Sequence, residues 1–73
     1  MPSMATGTIT NWNTNRGHGI ISASDGRDFF LHHSQWREDF EPAKGDSVEF
    51  TEAVGKDRKP YARDVRKIND AEL

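Results

Sequence analysis

The residues best suited to binding chemistry lie between positions 15 and 33. Two short runs rich in β-branched and aromatic residues flank a turn sequence at residues 24–26, and this pattern predicts a β-hairpin. Successive side chains of a strand point to opposite faces, so Ile21, Phe29 and Leu31 can line one face. The opposite face then carries four side chains next to Arg16, namely His18, Ile20, Phe30 and His32.

This second face is typical of a surface on which planar ligands stack. Unpaired nucleobases stack on flat side chains, each contributing about 1 to 3 kcal/mol, while cations pair with the phosphates. Imidazoles can also stack, but they offer less area than a phenyl ring and attract a phosphate only when protonated. We therefore predict a stacking surface for single-stranded nucleic acid, with an affinity that depends on pH.

Three aromatic residues outside the hairpin could pack within the protein, and two of them could instead contact a ligand. Trp12, like Phe30, could face a ligand or fill the core of so small a protein. Phe40 lies in a polar segment with no obvious core partner, so it could close over a base from the side or simply anchor its loop. Trp36 follows the third predicted strand, and we expect it to pack beneath that loop.

A basic turn near position 58 supplies candidate phosphate contacts. Lys56, Arg58 and Lys59 could clamp a phosphate or could form an ordinary solvated hairpin tip, and Asp57 among them lowers the local field. In the first hairpin, Asp28 could accept a hydrogen bond from a base edge.

Composition indicates one small domain. The 73 residues are 33% hydrophobic and 30% charged, and none is cysteine, so disulfides and thiolate metal sites are excluded. No apolar run reaches the length of a membrane span, and the first residues do not resemble a signal peptide. We expect a cytoplasmic monomer. The net charge of -2 means that a polyanion would have to meet a local basic patch.

The apolar alternation predicts an all-β protein. The expected strands are residues 8–13, 18–23, 28–32, 46–54 and 61–68, with a short helical turn at 34–36 and a long loop at 37–45. Five short strands in so few residues favour a closed antiparallel barrel, because closure removes exposed sheet edges. Residues 7–68 would form the domain, between an extension at 1–6 and a tail at 69–73.

No catalytic, metal or cofactor site is predicted. His32 and His33 are adjacent in a strand and should point to opposite faces, so we do not expect them to share an ion. Asp25 and Asp28 flank a turn, but no nucleophile is placed near them. The Arg-Gly-His-Gly run lacks the lysine and helix of a phosphate-binding loop. We expect neither an enzyme nor a small-molecule substrate.

The chain resembles the cold-shock domain family from Gly7 to about Ile68. Two motifs look like the ribonucleoprotein motifs of that family: Arg16-Gly17-His18-Gly19-Ile20-Ile21 and Phe29-Phe30-Leu31-His32-His33. Gly7-Thr8-Ile9-Thr10-Asn11-Trp12-Asn13 is similar to its first strand. Ala43 to Phe50 and Arg58 to Val65 are similar to its last two strands. The resemblance implies a five-stranded OB-fold barrel that binds single-stranded RNA or DNA, as an RNA chaperone or as a regulator of transcription or translation.

The departures from the family concern the binding surface. Where the family has stacking aromatics, this chain has Asn11, His18, Ile20 and His33, and where it has lysines this chain has Thr8 and Thr10. An alternative function is therefore a barrel with weakened nucleic-acid binding that serves as a protein-interaction module. The residues predicted to bind nucleic acid are Trp12, Arg16, His18, Ile20, Asp28, Phe30, His32, His33, Phe40, Lys56, Arg58 and Lys59.

Overall fold

A computed structural model describes residues 4–68 of the chain. The strands are β1 (Met4–Asn13), β2 (His18–Ala23), β3 (Asp28–His32), β4 (Ser47–Val54) and β5 (Pro60–Lys67), with a 3-10 helix at His33–Gln35. The all-β prediction is confirmed, and the bounds of β2 and β3 are as predicted. The helical turn begins one residue earlier than expected. The predicted tail at 69–73 lies outside the described residues.

The five strands close into a barrel in the order β1-β2-β3-β5-β4. This confirms the predicted five-stranded barrel, with one correction to its strand directions. Strand β3 pairs with β5 in parallel, through Phe30 and Tyr61, whereas the other ladders are antiparallel. The parallel pair places the start of β5 beside the middle of β3.

Strand β1 begins at Met4, four residues before the predicted start. Its first half pairs with β4, from Met4 opposite Thr51 to Thr8 opposite Ser47, and its second half pairs with β2. A register shift between Ile9 and Asn11 lets the strand bend from one partner to the other. The early start was missed because pairing with β4 is a long-range contact that leaves no alternation in the local sequence.

The barrel encloses a single apolar core. Its buried members are Ile9, Ile21, Ala23, Phe29, Leu31, Val48, Phe50, Ala62 and Val65. The face predicted from Ile21, Phe29 and Leu31 is therefore the inner one, and the rings of Phe29 and Phe50 meet at 5.0 Å between centroids. Because the inner face is filled in this way, the alternate residues of β2 and β3 must face outward.

The long loop after β3 is held against the barrel by Trp36. This side chain packs against the core, and its indole N–H donates a hydrogen bond to the backbone oxygen of Phe40, so Trp36 contacts the loop as predicted. Arg37 adds an ion pair with Asp64, at 2.9 Å between Nη2 and Oδ1. Within residues 4–68 no helix is long and apolar enough to cross a membrane.

Candidate nucleic-acid interface

One row of paired residues crosses the outer face of the sheet. Asn11, Ile20, Phe30, Tyr61 and Ala53 are successive partners on β1, β2, β3, β5 and β4. Directly paired residues of neighbouring strands project from the same face. We call these five positions the outer row. Its central ring is well exposed, since Phe30 keeps 41% of its accessible surface, and Ile20 and Tyr61 on either side are half-buried.

The two histidines of the hairpin extend this face along the strands. His18 is paired with His32, two residues from Ile20 and Phe30 respectively. The imidazole of His18 lies 5.4 Å from the Phe30 ring between centroids, with 30° between the two planes. The two rings are therefore neighbours on the outer face. Asp28, two residues before Phe30, is exposed on the same face.

The prediction that His32 and His33 point to opposite faces was wrong. Strand β3 ends at His32 and the chain turns into the 3-10 helix, so the two rings lie 4.6 Å apart between centroids. Ser34 donates its backbone N–H to Nδ1 of His32 at 3.2 Å, which fixes that ring. No group of three or more metal-ligating side chains occurs in the described part of the chain.

The ring of His33 covers Gly17 at the start of the hairpin. A Cβ on Gly17 would lie 2.5 Å from Cδ2 of His33, and the backbone of Gly17 has a φ of 70°. Both the close approach and the left-handed conformation require glycine there. His33 is thus placed beside Arg16 and Gly17, at one end of the outer face.

Trp12 belongs to a different row from Phe30. It is paired with Gly19, which is paired in turn with the buried Leu31, so its side chain projects towards the barrel interior. The indole packs against the core but remains half-buried, and its Nε1 donates a hydrogen bond to Oε2 of Glu41 at 2.9 Å. Trp12 therefore has one edge in the core and the other at the surface, where it contacts Glu41.

A small cleft lies beside the exposed edge of Trp12. Its volume is about 300 Å³, and its lining residues are Trp12, Thr14, Asn15, Arg16, Gly17, His33 and Glu41. The carboxylate of Glu41 also accepts a hydrogen bond from Thr14, at 3.4 Å. The loop after β3 thus brings a negative charge to the end of the outer face where Arg16 lies.

Phe40 is placed on the loop rather than on the outer row. Its ring is 46% exposed and meets Trp36 edge-on, with 5.8 Å between centroids. The ammonium of Lys67, at the end of β5, lies 5.7 Å from the centre of the Phe40 ring. The structure therefore associates Phe40 with Trp36 and Lys67, and not with Phe30.

The basic turn between β4 and β5 lies next to the outer row. An open cavity of about 380 Å³ is lined by Phe30, Gly55, Lys56, Asp57, Lys59, Pro60 and Tyr61. Arg58, predicted together with the two lysines, is exposed at the tip with a φ of 61° and does not line this cavity. Lys56 and Lys59 are therefore brought to Phe30.

Tyr61 is the residue of this face that the sequence interpretation missed. The sequence pattern predicts its place at the start of a strand, but its face cannot be assigned without knowing its parallel partner on β3. Asp64, with a φ of 51°, also interrupts the alternation along β5. The available signal was an aromatic residue directly after the basic turn.

The strand order and the outer face define the class of protein. A closed five-stranded all-β barrel with flat side chains on an outer sheet face is the architecture of OB-folds that bind nucleic acid. The family model described as the 'Cold-shock' DNA-binding domain matches residues 5–68. The chain belongs to the cold-shock domain family, as its motifs had indicated, and this is a nucleic-acid-binding family rather than a family of enzymes.

Solved structures support the same fold. The structure titled drosophila Unr CSD456 superposes with a TM-score of 0.79, covering 99% of this chain at 20% sequence identity. This chain covers 29% of that structure's chain, so it spans less than a third of its length. No curated protein sequence matches the chain at a significant level.

Proposed function

We propose that this domain binds single-stranded RNA or DNA by stacking bases on the outer face of β2 and β3, without catalysing a reaction. The observation that carries the proposal is the exposed Phe30 ring with the His18 imidazole 5.4 Å away and tilted by only 30°. Burying a phenylalanine side chain is worth about 1.5 to 3 kcal/mol, so an exposed ring forgoes that stabilisation. A base stacked on the ring restores much of this burial.

The mechanism is passive. A strand bound through its bases cannot pair with a complement, so binding stabilises the unpaired form and shifts a hairpin equilibrium by mass action. No nucleotide hydrolysis is needed. This activity suits an RNA chaperone, or a regulator that acts by holding a transcript open. The cytoplasmic location and the monomeric state stay predictions.

The test is a titration of labelled oligo-dT and oligo-U, following the label and the tryptophan fluorescence. We expect saturable binding that Phe30→Ala weakens by about 5-fold to 160-fold, the equivalent of one stacked base. Val54→Ala is a matched control, because Val54 is 68% exposed on β4 but neighbours Ala53 and so points to the other face. Equal, small losses in both variants would contradict the proposal.

A second candidate function is a protein-interaction module. The outer row begins with Asn11 and Ile20, which offer no ring, and the outward Thr8 and Thr10 carry no charge. Such a surface could bury apolar area against a protein. Absence of oligonucleotide binding at low salt would favour this candidate.

A further inference from the structure

Tyr61 has no part in the binding surface described by the family resemblance, yet it lies in the outer row next to the central Phe30. Phe30 and Tyr61 are direct partners across the parallel β3-β5 pair. Neighbouring strands are about 4.8 Å apart, so the two aromatic side chains leave the sheet side by side. They also line the same 380 Å³ cavity.

The aromatic residues of the row are displaced relative to the family pattern. The β1 and β2 positions hold Asn11 and Ile20, whereas the β3 and β5 positions hold Phe30 and Tyr61. The flat surface of this chain therefore lies one strand closer to β5. A nucleic-acid strand that lies along these rings must therefore run towards the β4-β5 turn rather than towards β1.

The turn supplies the charge that a nucleotide in this place requires. Lys56 and Lys59 line the cavity with the two aromatic residues, and the turn is closed by a hydrogen bond of 3.0 Å from the Gly55 N–H to the Lys59 oxygen. Neither lysine is engaged in an ion pair within residues 4–68. Their ammonium groups are therefore available to a phosphate beside the rings.

We propose that Phe30, Tyr61 and the β4-β5 turn form a nucleotide subsite in which one unpaired base stacks on the two rings and its phosphate contacts Lys56 or Lys59. This inference rests on the proposed function and specifies where its ligand is held. The ligand is a nucleotide within a strand. A free mononucleotide has the same base and phosphate, but it lacks the neighbouring contact to the Phe30 and His18 pair, so it should bind far more weakly.

The first experiment compares Tyr61→Leu with Tyr61→Phe in the oligo-dT titration. Leucine keeps apolar bulk but removes the ring, so we expect at least a 5-fold weaker affinity. Phenylalanine keeps the ring and should bind within about 2-fold of the unsubstituted protein. Thermal unfolding of both variants shows whether the barrel is intact. A titration with free thymidine monophosphate tests whether the subsite binds a mononucleotide instead of a nucleotide within a strand. If thymidine monophosphate binds as tightly as the oligonucleotide, the proposal that the ligand is a nucleotide within a strand is overturned.

A second experiment does not depend on a substitution. Photo-cross-linking of an oligonucleotide containing 5-iodouracil, followed by peptide mapping, should give cross-links at Phe30 and Tyr61. Cross-links confined to Trp12 or His33, or equal affinities of Tyr61→Leu and the unsubstituted protein, would overturn the subsite while leaving the proposed function in place. If the unsubstituted protein binds no oligonucleotide, the proposed function and the subsite fail together.

Discussion

Gly19 leaves room for an aromatic residue because glycine has no Cβ. A Cβ at this position would lie 2.1 Å from the backbone oxygen of Asn11 and 2.9 Å from Cε3 of Trp12. The indole of Trp12 therefore occupies the space that a side chain of residue 19 would need. Glycine at this position lets β1 and β2 pair closely while the indole covers one end of the core.

Gly19→Ala should consequently destabilise the barrel. The added methyl group meets backbone as well as the rigid indole, so neither neighbour can yield cheaply, and we expect a loss of about 1 to 3 kcal/mol in the free energy of unfolding. Urea unfolding followed by circular dichroism measures this loss. Gly55→Ala is the control, because a Cβ there meets nothing closer than 3.7 Å. Similar stability of both variants would show that β1 and β2 can separate without cost.

At the scale of the elements, the turn of the β2-β3 hairpin is held by polar contacts of its own side chains. Asp25 accepts the backbone N–H of Arg27 at 3.1 Å and its guanidinium Nε at 2.8 Å, and Arg27 reaches on to Glu52 of β4 at 2.8 Å. The turn is thus held both within the hairpin and to a neighbouring strand. Hydrogen bonds from Arg27 lower the pKa of Asp25, and the bond from the Arg27 backbone has a larger effect than the bond from its side chain.

This pKa shift predicts a small pH dependence of stability. Because the folded-state pKa of Asp25 is lower than that of the unfolded chain, its contribution is present above the unfolded value of about 3.9 and is lost as the pH falls through the folded value. We expect the unsubstituted protein to melt at a higher temperature than Asp25→Asn at pH 7, with the difference vanishing in acid. The effect should be small because the carboxylate is fully exposed. A difference independent of pH would contradict this origin.

The hairpin was also the element that could best be predicted from the sequence. Its two strands are local in the chain, their alternation separates core from surface, and the turn residues mark the boundary. The start of β1 and the parallel β3-β5 pair could not be predicted, because each depends on a partner distant in sequence. The same limit applied to the site. Phe30 followed from local alternation, whereas Tyr61 joined the outer row only through the closure of the barrel.

At the scale of the whole molecule, most structural ion pairs lie away from the outer row. Arg27, Arg37 and Lys67 each contact a carboxylate within 4.0 Å, in pairs that fasten turns and loops to the barrel. Among the described residues, five cations near the outer face are not engaged in this way: Arg16, Lys56, Arg58, Lys59 and Arg63. With a net charge of -2, the molecule as a whole does not attract a polyanion, so any attraction must come from such local cations.

Salt dependence of oligonucleotide binding should report this small number of cations. Each phosphate neutralised in a single strand contributes about -0.7 to the slope of log affinity against log salt, so three to five contacts give a slope of about -2 to -3.5. Replacing Lys56 and Lys59 together with glutamine should make the slope shallower by about 1.4. Phe30→Ala should instead lower the affinity at every salt concentration without changing the slope, because the ring carries no charge. A slope unchanged by removal of the two lysines would mean that the strand does not pass the β4-β5 turn. Oligonucleotide affinity without any salt dependence would mean that stacking alone holds the strand and that none of these cations contacts a phosphate.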